Sequence, residues 1–206
     1  MKEPAARHWI RERFGVSRET TLEKYADLLV AENERQNLIA KSTIAFLWSR
    51  HFVDSAQLIA HGKACNVENA TWMDIGSGAG LPGLVLAVLQ NNPILLVEPR
   101  KKRVEFLSNV VSLLKLDHVK VVHQRVETVQ QSADVITARA VASLPQLFED
   151  ALHCAHKSTC WVLPKGKSAD VEVEEARKTW QGVFHVEHSI TDPQSHIVIA
   201  REVRPR

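Results

Sequence analysis

The sequence predicts an α/β fold: a doubly wound parallel sheet, preceded by a helical extension and closed by a C-terminal antiparallel hairpin. Three observations predict it. Up to about Asn66 the apolar residues recur at helical spacing with no β signal. Beyond it, short β-rich runs alternate with helical ones, the grammar of a parallel sheet with helices on its faces. The last two β-rich runs have no helix between them.

From Ala5 to about Leu38, Trp9, Ile10 and Phe14, then Leu22, Tyr25, Leu28 and Leu29, return every three or four residues with charges between them. The stretch divides into two helices near Gly15, with Ser17 suited to cap the second. A third helix is expected over 43–61, with Phe46, Leu47, Phe52, Val53, Leu58 and Ile59 as its apolar face. Strands are expected at 71–75, 94–97, 119–123, 134–138 and 159–163. Helices are expected between them at 82–90, 100–116, 144–157 and 169–180. The runs 183–189 and 196–203, joined by ITDPQS, form the hairpin. The chain therefore reads as a helical extension, 1–66, packed on a core of 67–206, one structural domain overall.

Composition bounds the function. With 206 residues, 45% hydrophobic and 24% charged, the chain buries a sizeable core and lacks the bias of disordered or fibrous proteins. The run LVLAVL is far short of the roughly 20 residues that span a bilayer. The start, MKEPAARHWIRERFG, lacks the apolar stretch and cleavage site of a signal peptide. Cys65, Cys154 and Cys160 form no CxxC pair and make an odd set, so reduced, mostly buried thiols and a cytoplasmic location are expected, with no membrane partner. A net charge of +2 does not by itself argue for nucleic acid; where the cations cluster decides.

The stretch MDIGSGAGLPG, 73–83, joins the first strand to the next helix and carries two overlapping fingerprints. Gly78, Gly80 and Gly83 give GxGxxG, the dinucleotide spacing. Asp74, Gly76, Gly78 and Gly80 give DxGxGxG, the common S-adenosylmethionine pattern. A merely tight turn does not need so many glycines, each of which costs conformational entropy. Glu98, at the end of the second strand, suits ribose hydroxyls in either cofactor. Asp74 discriminates better, because an acid suits a sulfonium and an ammonium, whereas a pyrophosphate prefers a free helix N-terminus. S-adenosylmethionine is favoured over a nicotinamide-dependent oxidoreductase.

SRHFVDSAQL places His51, Asp54 and Ser55 at i, i+3 and i+4, on one helical face. A hydrolase triad is rejected, since all three project from one helix with no nucleophile elbow or oxyanion donors. No zinc spacing links His51, His61 and Cys65, and no metal is expected. In PRKKRVEFL, Arg100, Lys101, Lys102 and Arg103 crowd the first turn of a helix, where the macrodipole disfavours cations. Such a cluster fits either a solvated face or an anionic partner such as RNA phosphate. Arg125, Arg139, Lys165 and Lys167 follow predicted strands and so converge on the edge that carries the glycine loop. No aromatic stacking ladder accompanies them, so sequence readout of RNA is not predicted.

Taken together, NLIA at 37–40, RHFVDS at 50–55, DIGSGAGLPG at 74–83, KRVEFL at 102–107, RVE at 125–127, RAVASL at 139–144 and KG at 165–166 resemble the small-subunit ribosomal RNA guanine-N7 methyltransferases, the RsmG or GidB family. The resemblance covers nearly the whole chain. It implies a Rossmann-like class I S-adenosylmethionine-dependent methyltransferase sheet, S-adenosylmethionine as donor, and a guanine of 16S rRNA in the small subunit or its precursor as acceptor. It marks Asp74, Gly76, Gly78, Leu81, Glu98, Val126, Glu127 and Arg139 as cofactor-binding, with Val126 and Glu127 near the adenine and Arg139 also organising the catalytic pocket. Arg100, Lys101, Lys102, Arg103, Arg125 and Lys165 become the RNA-binding set. His51 and Asp54 are expected to pack beside the cofactor cleft. The rival from another class, a non-catalytic ribosome-binding protein, is disfavoured by the intact DxGxGxG.

Overall fold

The computed structural model describes residues 1–64 and 69–206. It opens with α1 (Glu3–Phe14) and α2 (Val16–Gln36). Gly15 separates them at φ 85°, where a side chain would be strained, and its N–H still bonds Arg11 O. Glu19, buried on α2, accepts from Arg11 Nε at 2.6 Å and also binds Arg7, which ties the two helices together. These guanidinium groups hold its carboxyl below the usual range. The pair therefore adds stability that is complete above the unfolded carboxylate pKa and is lost as pH falls through the lowered folded value. Glu19→Ala is expected to cost about 2 kcal/mol at neutral pH, less than a fully buried pair because both arginines reach solvent. Urea denaturation at pH 7 and pH 3 checks this: the mutant's deficit should shrink at the lower pH.

The single helix expected over 43–61 is broken. A 3-10 segment (Lys41–Phe46), a π-helical segment (Trp48–Val53), the short α3 (Asp54–Ala56) and α4 (Leu58–Lys63) replace it. The cause is tertiary. The Glu3 carboxylate accepts the N–H groups of Trp48 and Ser49 at 3.0 and 2.7 Å, so α1 supplies an N-terminal cap in the middle of the run.

The sheet comprises β1 (Trp72–Ile75), β2 (Ile94–Val97), β3 (Val119–Val122), β4 (Ala133–Ala138), β5 (Ala155–Lys165), β6 (Trp180–His188) and β7 (His196–Pro205). Their order is β3-β2-β1-β4-β5-β7-β6. The first five are parallel, and β7 runs antiparallel between β5 and β6, so the C-terminal hairpin closes the sheet. The connecting helices are α5 (Gly83–Leu89), α6 (Lys101–Leu113), α7 (Leu144–Ala151) and α8 (Ala169–Thr179). Alternate strand residues feed two cores, as the pleat requires. Trp72, Ile94, Leu96 and Val135 pack with Leu22, Tyr25, Leu29 and Phe52 of the N-terminal helices and with α5. Met73, Val97, Ile136 and Trp161 pack with Leu147 and Phe148 of α7 and Val173 of α8. Every residue of α5 is buried, which accounts for its all-round apolar sequence.

One boundary differs for a physical reason. The helix expected to Lys157 stops at Ala151, a 3-10 turn (Leu152–Cys154) follows, and β5 begins at Ala155. Val129 O binds His153 Nε2 at 3.1 Å, and Thr159 Oγ1 donates to Ala133 O at 2.7 Å. Partners in the loop before β4 and in β4 itself thus capture residues whose own spacing favours helix. Cys154 is a free buried thiol, pushed up to about 11 by burial. Cys160 is disulfide-bonded, which corrects the expectation of reduced thiols at that position. Cys65 lies outside the described residues. Among the described residues, no helix is long and apolar enough to cross a membrane.

Candidate cofactor and acceptor site

The glycine loop leaves β1 at Ile75 and turns over the carboxyl edge of the sheet. Gly76, Gly78 and Gly80 have φ of 66°, 55° and 89°, left-handed conformations that favour glycine. The N–H groups of Gly76 and Ser77 both bond Val97 O, at 2.8 and 3.1 Å, which fixes the loop to the end of β2. Glu98, 2% exposed, accepts the Gly78 N–H on Oε2 at 2.8 Å and the Arg100 N–H on Oε1 at 2.9 Å. Arg103 Nη1 stands 3.9 Å from the same Oε2. The acid thus lies directly beneath the loop, as its place after β2 predicts.

Asp74, 1% exposed, accepts the Gly83 N–H on Oδ2 at 3.1 Å, and burial pushes its pKa up to about 7. Its Oδ1 has no protein partner. This geometry decides between the two fingerprints. The first amide of α5, which a pyrophosphate would need, is already occupied by the protein's own carboxylate. The local donor set comprises two buried acids and backbone amides already bonded to them, which suits a ribose and a cationic donor. Leu81 is buried, its backbone N–H bonded to Ser77 O at 3.3 Å.

Tyr25, absent from the predicted site, supports the loop from behind. Its hydroxyl donates to Ala79 O at 2.7 Å, and complete burial raises its pKa. The signal available was that this is the sole tyrosine, placed on an otherwise aliphatic stripe of α2.

Past β3, a 3-10 turn (Val126–Thr128) places Val126 in the core and Glu127 at the surface, where Arg125 Nη2 binds Glu127 Oε1 at 2.6 Å. The guanidinium of Arg125 holds the Glu127 carboxyl below its usual range. At the end of β4, Arg139 Nη2 lies 2.9 Å from His51 Nδ1, and Nη1 lies 3.5 Å from Asp54 Oδ2. A guanidinium only donates, so Nδ1 accepts and the imidazole proton sits on Nε2, 2.9 Å from Thr43 Oγ1. Burial first, then the charges of Arg139 and Arg50, push the His51 pKa down to about 3, so the ring is neutral. Asp54 Oδ1 accepts from Gln57 Nε2, Ser189 Oγ and Thr191 Oγ1 at 3.0, 3.2 and 3.1 Å. The RHFVDS segment therefore joins the end of β4 to the turn between β6 and β7.

Two adjoining cavities, of about 640 and 430 Å³, share Asp54, Arg139 and Ser195 as walls. The larger is completed by Ala140–Ser143, Pro164–Gly166, Glu172 and His196. Lys165, 11% exposed, donates there to Ala142 O at 2.8 Å and to Glu172 Oε2 at 2.7 Å. Glu172 also accepts the Leu144 N–H at 3.2 Å. The structure brings Asp74, Glu98, Gly76, Gly78 and Arg103 together at the loop, and Arg139 with Lys165 in the larger cavity. It leaves Arg100, Lys101 and Lys102 on the exposed start of α6 and Arg125 on the surface after β3. Among the described residues, no cluster of His, Cys, Asp or Glu could hold a metal ion.

Residues 18–198 match the family profile described as rRNA small subunit methyltransferase G, GidB. Ribosomal RNA small subunit methyltransferase G of Zymomonas mobilis is 44% identical over 206 aligned residues, covering 96% of this chain and 93% of its own length. The protein of the same name from Rhizorhabdus wittichii is 44% identical over 210 residues, covering 100% and 95%. Among solved structures, a SAM-dependent methyltransferase from Aquifex aeolicus has a TM-score of 0.60 at 14% identity, covering 82% of this chain and 96% of its own. That likeness shows the fold. The chain belongs to the rRNA small subunit methyltransferase G, or GidB, family.

Proposed function

We propose that this protein moves the methyl group of S-adenosylmethionine to N7 of a guanine in 16S rRNA, in the small ribosomal subunit or its precursor, in the cytoplasm. The observation that carries the reading is the DxGxGxG loop, whose own acid closes the helix N-terminus to a pyrophosphate while a second acid, Glu98, lies under Gly78. In this reading Asp74, Gly76, Gly78, Leu81, Glu98, Val126, Glu127 and Arg139 hold the donor. The N-terminal helices serve as an extension of the core that supports the loop through Tyr25.

When bound, the cofactor supplies an electrophilic methyl carbon on a sulfonium sulfur. The residues around it have mainly to orient. Guanine N7 carries a free lone pair, so no side chain has to remove a proton first. His51 matches that requirement, because both ring nitrogens are engaged and the ring is neutral. The chain's contribution is alignment, with the entropy of approach already lost on binding. In the larger cavity Asp54 and Glu172 balance the charges of Arg139 and Lys165, so a purine that becomes cationic meets a wall without excess positive charge.

The test is transfer of labelled methyl from S-adenosylmethionine to small subunits lacking the modification, followed by mapping of the labelled base. Label on N7 of one guanine is expected. Cofactor-loaded protein that transfers nothing would sink the reading. For the basic start of α6, reversing Lys101 and Lys102 to Glu is expected to weaken RNA binding and lower its salt slope by about 2, leaving S-adenosylhomocysteine affinity unchanged. Binding measured across a salt series checks this, and an unchanged slope returns both lysines to a solvated face.

A further inference from the structure

The smaller cavity, of about 430 Å³, has features that the transfer reaction does not use. Phe46, at the end of the 3-10 segment, lines it while 51% exposed, an unusual position for a phenyl ring on a wall that is otherwise mostly polar. Arg50 lines it too. Its only ion-pair partner among the described residues is Asp192, 3.9 Å away, with the two side chains 59% and 39% exposed. At that distance and exposure the pair is weak and screened. The remaining acid, Asp54, is saturated by Gln57, Ser189, Thr191 and Arg139. Because Asp54, Arg139 and Ser195 wall both cavities, whatever occupies the smaller one lies next to whatever occupies the larger.

A nucleotide adjoining the methylated guanine matches this chemistry. Proteins read unpaired RNA by stacking bases on exposed aromatic rings and holding the intervening phosphates with cations. The cavity offers one ring and one loosely held guanidinium.

We infer that the smaller cavity is a subsite for a nucleotide flanking the target guanine, its base stacked on Phe46 and its phosphate held by Arg50. The inference rests on the proposed RNA methyltransferase reading. It places an aromatic recognition element on the helical extension, whereas the basic rim alone showed none. The subsite sets which RNA is accepted, and the donor site is untouched by it.

The experiment measures steady-state methylation of unmodified small subunits by wild type, Phe46→Ala, Phe46→Leu, Phe46→Trp and Arg50→Ala, with S-adenosylhomocysteine affinity measured alongside. Phe46→Ala and Phe46→Leu are expected to raise KM for the subunit roughly 10-fold with little change in kcat, and Phe46→Trp to restore it. Arg50→Ala is expected to lower the salt slope of binding by about 1. S-adenosylhomocysteine affinity should stay at the wild-type value throughout. An unchanged KM in Phe46→Ala, a leucine variant as good as tryptophan, or a loss of cofactor affinity in step with KM would each overturn the subsite while leaving the methyltransferase reading intact. A wild type that transfers no methyl would overturn that reading, and the subsite with it.

Discussion

Gly83→Ala is expected to abolish binding of the cofactor and to lower stability by about 3 kcal/mol. A Cβ at this position would stand 2.6 Å from Asp74 Oδ2 and 3.0 Å from Asp74 Cβ, and closer still to Leu96 Cδ2. Both neighbours are buried in the core beneath the loop, so neither side chain can swing away. Displacing Asp74 also removes the acceptor of the Gly83 N–H, and Asp74 Oδ1 already lacks a protein partner. A buried carboxyl with neither oxygen bonded is costly, which adds to the overpacking. The effect is steric and does not come from backbone strain, because Gly83 is not among the glycines at positive φ. Gly166→Ala is the control: nothing lies within 4 Å of its added methyl, and a change near zero is expected. Urea denaturation and calorimetric titration with S-adenosylhomocysteine measure both quantities. A Gly83→Ala protein that keeps wild-type stability and affinity would show that Asp74 does not clamp the loop.

What the sequence made legible, and what it hid, follows the range of the interactions. The strands and helices after Asn66 were readable because periodicity within one element records which face is buried. The break in the run 43–61 was not, since its cause is a carboxylate on Glu3, 45 residues before Trp48. The early stop of α7 has the same character: Val129, in the loop before β4, and Ala133, the first residue of β4, hold the residues that follow it, and both are distant in sequence.

The places of Asp74 and Glu98 at the glycine loop follow from the sequence, because loop spacing and strand ends are local facts. The link from Arg139 to His51 spans 88 residues, and the motif RHFVDS gave no hint of its target beyond a place near the cleft. Tyr25 reads as one more apolar position on a helix, because a stripe records where the ring goes and says nothing of what the hydroxyl meets. For Lys165 the resemblance leaves two places open, against RNA or in the wall of the catalytic pocket. A sequence shows that a residue is charged but not who neutralises it, and here Glu172 and the Ala142 carbonyl do so inside a cavity wall.

Arg139→Ala is expected to lower kcat/KM for the small subunit by about 100-fold, since misplacement of a reacting group by about 1 Å costs that much. The side chain stands between two cavities and is held at two points: His51 Nδ1 at 2.9 Å takes one arm, and Asp54 Oδ2 at 3.5 Å takes the other. The closer contact is to a neutral ring, so the arginine keeps its orientation without its charge being closely neutralised. Arg139→Lys preserves the charge but cannot span both acceptors with one ammonium, and little recovery is expected. His51→Leu removes the nearer acceptor and should cost about 10-fold through Arg139. His51→Asn, which can keep an acceptor near the position of Nδ1, should cost less. If His51 acts only by positioning Arg139, the double variant Arg139→Ala with His51→Leu should be no worse than Arg139→Ala alone, because the histidine then has nothing left to hold. Fully multiplicative losses in kcat/KM would instead give His51 an independent role, and a wild-type-like Arg139→Lys would show that the two-point hold is irrelevant to transfer.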